Sequence, residues 1–79
     1  MQCINTNKLK GKIIENGLTV PLLAEKIEMT PSTLYRKLSN DGDTMLVKDA
    51  NRIVSALRLS ADDAIAIFFA PFVAYSATE

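Results

Sequence analysis

The stretch LTVPLLAEKIEMTPSTLYRKL, residues 18–38, predicts two short helices on either side of a tight turn. Thr19 is a natural N-cap, and Pro21 falls in the first turn, where its missing amide costs little. Leu22, Leu23, Ala24 and Ile27 give this helix, about Val20 to Ile27, its apolar face. Glu28 and Met29 alone separate it from the next start signal: Thr30 as N-cap, with Pro31 at the first helical position. Leu34 and Leu38 carry the apolar spacing to about Ser39, and Asn40-Asp41-Gly42-Asp43 follows as a turn cluster.

The two faces of the second helix differ in chemistry. At about 100° per residue, Leu34 and Leu38 lie together, while Ser32, Arg36 and Ser39 fall roughly 140–200° from Leu34. Thr33 and Tyr35 flank that outer face. It carries short hydroxyls, one forked guanidinium and one aromatic ring, all able to meet base edges or phosphates. A guanidinium suits the paired acceptors that guanine shows in the major groove. A polar outer face is also the default for any surface helix, so the surrounding frame has to decide.

Working outward, three more helices are predicted and no strand pattern competes. The first runs from about Asn7 to Asn16, with Leu9, Ile13 and Ile14 on one face, Asn5 or Thr6 as cap, and Asn16-Gly17 as its end. The fourth covers Val47 to Leu57, with Val47, Ala50, Ile53, Val54 and Leu57 at helical spacing. Leu46 stands where its cap is expected, and Thr44 is the substitute. The fifth, Ala61 to about Phe69, opens on a capping-box-like Ser60 and Asp63 and is apolar nearly all round from Ala64. Pro71 breaks it. The expectation is an all-α, compact five-helix domain over residues 1–70, followed by a tail, 71–79, that is an interface or disordered. Phe68, Phe69, Phe72 and Tyr75 make the apolar end of the chain a candidate dimer or partner interface, with core packing the equal alternative.

Seventy-nine residues, 48% of them apolar, suffice for one core. Cys3 is the one cysteine and there is no histidine, so neither a disulfide nor a zinc site is expected, nor any other metal or cofactor. Without histidine, acid–base chemistry would fall to groups such as the Asp62-Asp63 pair, which sits where acids ordinarily complement a helix dipole; an enzyme is not expected. No basic stretch followed by an apolar run opens the chain. The longest apolar run, Ala64 to Tyr75, is 12 residues with Pro71 inside it, short of the ~20 that span a bilayer. A cytoplasmic protein is expected.

Net charge is zero, but it is unevenly spread. Residues 1–40 hold six Lys and Arg against three Glu; residues 41–79 hold three against six Asp and Glu. The first half is therefore the half suited to phosphates.

Residues 18–38 resemble the helix-turn-helix of phage Cro and repressor proteins and their bacterial, XRE-like relatives. The paired pattern of Thr19, Ala24, Ile27, Thr30, Ser32-Thr33-Leu34 and Leu38 carries the likeness. Ile53 to Ser60 and Ala64 to Phe69 look like the fourth and fifth helices of small phage regulators, so that it spans about residues 4–70. The resemblance implies a lambda-repressor-like fold and a transcriptional regulator of double-stranded operator DNA, acting as a two-fold homodimer. By position it implies that Ser32, Thr33 and Arg36 read bases, that Tyr35 and Lys37 touch bases or backbone, and that Thr19 lies on phosphate. Lys12 and Asn40 are further backbone candidates from charge and placement. Three residues depart from the pattern: Glu28 where glycine is usual, Pro21 at the phosphate end of its helix, and Leu46 at a cap. Those departures, with the neutral charge, leave a second reading: a protein-interaction module on the same scaffold, such as an antirepressor or co-repressor that binds a second regulator.

Overall fold

Side-chain caps and left-handed stops divide this chain, and both are visible in the structure. The computed structural model describes residues 4–39 and 42–69. It places α1 at Thr6–Glu15, α2 at Val20–Lys26, α3 at Pro31–Leu38, α4 at Val47–Leu57 and α5 at Ala61–Ala64, which continues as a π-helical segment, Ile65–Phe69. The chain is thus a compact all-α domain of five helices, with no strand among the described residues. Cys3, Asn40, Phe72 and Tyr75 lie outside the described residues.

Four of the five helices start on a side-chain oxygen that takes up an otherwise orphaned amide. Asn5 Oδ1 accepts from the Lys8 amide at 3.0 Å and Thr19 Oγ1 from Leu22 at 3.4 Å. Thr30 Oγ1 accepts from Thr33 at 3.3 Å and Ser60 Oγ from Asp63 at 3.1 Å. The start of α4 corrects the expectation for Thr44. Leu46 is the N-cap and makes no side-chain cap; Asp49, one turn on, reaches back to accept from the Leu46 amide at 3.0 Å.

Three helices end on the same motif. In α1, the Gly17 amide donates to Ile14 O and Leu18 to Ile13 O; in α2, Glu28 donates to Glu25 O and Met29 to Ala24 O. In α4, Arg58 donates to Ser55 O and Leu59 to Val54 O. Each pair is a Schellman stop, which needs a left-handed residue just past the helix. That residue is Gly17, Glu28 or Arg58, with φ of 73°, 58° and 52°. The turn between α2 and α3 therefore has the backbone that favours glycine, with a glutamate in it.

All five helices contribute to one core: Leu9 and Ile13, Leu23, Ala24 and Ile27, Leu34 and Leu38, Ala50, Ile53 and Leu57, and Ile67 and Phe68. Ile4 and Met45 join it from the connecting segments, and the Asn5 amide donates to Ile67 O at 2.8 Å, fastening the chain before α1 to the last turn. Gly42, at φ 78°, lets the α3–α4 connection lie against Ile4; a Cβ there would fall on the Ile4 side chain.

For the fifth helix one expectation changes and one open alternative is decided. Its second half winds as a π-helix, in a stretch with no polar face to fix which side meets water. Phe68, for which a partner interface and core packing stood as equal alternatives, is only 2% exposed and belongs to the chain's own core, edge-on to Phe69. Phe69 and Ile65 are the exposed apolar residues of that segment.

A β-carbon disfavours the left-handed region, so Glu28→Gly and Arg58→Gly should each raise stability by roughly 0.5–1 kcal/mol. Urea denaturation checks this: both midpoints should rise, and unchanged or lower midpoints would contradict the strain at these two stops.

Candidate nucleic-acid interface

The α2–α3 unit is held together by its turn and by its buried face. Ala24 is fully buried, its carbonyl accepts the Met29 amide at 2.8 Å, and Leu23 and Leu34 are likewise without exposure. The small Ala24 side chain suits the close packing of α2 on α3. With Leu34 and Leu38 inward, Ser32, Tyr35 and Arg36 are exposed and Thr33 is half-buried. The structure thus brings the four expected base-reading residues together on α3.

Their hydrogen bonds define what each can offer. The Thr30 hydroxyl donates to Thr33 Oγ1 at 2.7 Å, so Thr33 keeps its own hydroxyl proton to donate. Ser39 Oγ donates to Tyr35 O at 3.0 Å and the Ser39 amide to Arg36 O at 3.1 Å, closing the last turn of α3. Arg36 makes no ion pair with any described residue, so its guanidinium is free for a ligand. Tyr35 is 54% exposed.

The expected phosphate ligands are placed very differently from one another. Thr19 is exposed at the start of α2. Lys12 stands apart on α1, where its ammonium lies 3.0 Å from Asp63 and 3.3 Å from Glu15. Asp63 and then Glu15 hold the Lys12 proton above the usual lysine range. Lys12 in turn, against some burial and with help from Lys8, holds the Asp63 carboxyl below the usual range. Lys37 turns inward: its Nζ is 2.9 Å from Asp49 Oδ2 and donates to Thr44 O at 3.2 Å.

Asp49 is the residue the sequence reading missed. It is 3% exposed, the one charged residue buried among the described residues, and it accepts from both Lys37 and the Leu46 amide. Burial opposes its ionisation, but the Lys37 ammonium and the Leu46 amide outweigh that and hold its carboxyl below the usual range. The available signal was an acid three residues past an N-cap that has no acceptor of its own.

Beside α3, a shallow cleft is lined by Pro21, Leu22, Glu25, Glu28, Met29 and Pro31. It sets apolar surface and two carboxylates next to the outer face of α3. Among the described residues there is no cluster able to hold a metal, and no helix long and apolar enough to cross a membrane. No family model, curated protein or solved structure matches the chain, so the geometry carries the functional reading.

Acid titration tests the Asp49 site. A carboxyl whose folded-state pKa is depressed stabilises the fold above its unfolded value, ~3.9, and that contribution is lost as pH falls through the folded value. Stability should therefore drop as the pH goes from about 5 to 2, and Asp49→Asn should lower stability at neutral pH while flattening that drop. The residual slope belongs partly to Asp63. Equal slopes in the two proteins, followed by urea unfolding at each pH, would contradict the Asp49 assignment.

Proposed function

We propose that this chain is a transcriptional regulator that binds double-stranded operator DNA by laying α3 in the major groove. One observation carries the reading: the anchors of α3, Leu34 and Leu38, are buried, while Ser32, Tyr35 and Arg36 face outward from a short helix packed on a second one. A recognition helix requires this, because it must be fixed from behind and bare in front. Arg36 is the specificity determinant, through two bonds to a guanine edge; Ser32, Thr33 and Tyr35 read neighbouring bases, and Thr19 meets the backbone. The protein acts without catalysis or cofactor, in the cytoplasm of a bacterial or phage-infected cell, as a homodimer on a near-palindromic site.

A second reading draws on the cleft beside α3. Glu25 and Glu28 repel phosphate, and Pro21, Leu22 and Pro31 are exposed there, which suits a protein partner such as another regulator. The DNA reading is favoured because the free guanidinium and hydroxyls lie on α3 itself.

Binding to selected DNA as a function of salt separates the two. DNA affinity should fall steeply with salt, by about 0.9 in log K per log salt for each phosphate neutralised. Arg36→Ala should weaken specific binding by about 1–3 kcal/mol and relax the choice of one base pair, with folding unchanged. Salt-insensitive binding, or an Arg36→Ala variant as tight and selective as the parent, would overturn this reading.

A further inference from the structure

Lys37 follows Arg36 directly on α3, where the resemblance to phage regulators puts a DNA contact. Its surroundings argue for another role. The Lys37 side chain is 14% exposed and the side chain of its carboxylate partner, Asp49, 4%. Two of the three ammonium donors are engaged, one by Asp49 and one by the Thr44 carbonyl. Asp49 Oδ2 also takes the Leu46 amide, so one oxygen joins the last turn of α3 to the first turn of α4. Swinging Lys37 out to a phosphate would strand that buried carboxylate without its counter-ion, a large penalty.

The same turn of α3 carries Tyr35 and Arg36, whose carbonyls accept from the Ser39 hydroxyl and amide. From this geometry we infer that Lys37 is a positioning residue, not a DNA ligand. Its bridge to Asp49 locks the end of α3 onto the start of α4, so that Tyr35 and Arg36 meet the groove in one fixed orientation. The inference rests on the DNA reading above. It has a consequence that a phosphate contact would not: the Lys37 charge is already neutralised, so it releases no counterion from DNA.

The test is the salt dependence of DNA binding for the wild-type chain, Lys37→Gln, Lys37→Arg and Asp49→Asn. Lys37→Gln should lose affinity on the order of tenfold, the scale of one well-formed contact, with the salt slope unchanged. Lys37→Arg, which can still pair with Asp49, should recover most of that loss. Asp49→Asn should lose affinity with the same slope, although Asp49 meets no DNA. A slope flattened by about 0.9 in Lys37→Gln would overturn the inference, as would an Asp49→Asn variant that binds more tightly with a steeper slope, its lysine released to phosphate. Should either variant not fold, lysine acylation of the wild-type chain decides. Lys37 should react slowly with and without DNA; reaction as fast as at exposed Lys10 and Lys26, with protection only on DNA, would overturn it. Failure of the wild-type chain to bind DNA at any salt removes the DNA reading and this inference together, whereas a flattened slope removes the inference alone.

Discussion

The roll of α3 about its own axis is the constraint on which the rest depends, and Leu34 and Leu38 set it. Each is buried against the core, and burial of a leucine contributes about 1.5–3 kcal/mol. Rotating α3 by a third of a turn would trade both for polar groups. A helix of eight residues has little intrinsic stability in water, so this packing, with the Thr30 cap, holds it in place. The outward side then follows from the spacing of the inward one. Ser32 and Arg36 are exposed because each stands two residues from Leu34, roughly 160–200° around the helix, and Tyr35 because it stands one residue on, about 100° around.

Around that anchored helix the charges sort into two kinds. Lys12 and Lys37 are bound to carboxylates and act within the fold, joining α1 to α5 and α3 to α4. Arg36 is left for a ligand. A neutral chain can bind a polyanion on this plan, because a few well-placed free cations and hydroxyls on one helix matter more than net charge. On the proposed reading, the acidic, apolar cleft formed by the first turns of α2 and the α2–α3 turn would limit where a phosphate backbone can run beside the outer side of α3.

Much of this was legible in the residues. Thr19, Thr30-Pro31 and Ser60 mark helix starts by chemistry that acts locally, and the apolar spacing of Leu34 and Leu38 fixes a face without reference to the rest of the chain. Even the strained position at Glu28 could be read, since a Schellman stop demands a left-handed residue whatever its identity. Features that depend on distant partners were not legible. Asp49 as the counter-ion of Lys37 links residues twelve apart through a turn, and nothing at Lys37 itself distinguishes a buried ammonium from a phosphate ligand. The π winding of Ile65–Phe69 and the burial of Phe68 arise where every residue is apolar, so periodicity has no contrast to report.

The most direct measurement is an NMR titration of the isotope-labelled chain with duplexes recovered from a random DNA pool, following backbone amides and the Arg36 side chain. Some duplexes should be retained, with the perturbations concentrated at Ser32, Thr33, Tyr35 and Arg36. Recovery of no duplex, or perturbations at Leu22, Glu25 and Met29 with the outer side of α3 unmoved, would contradict it.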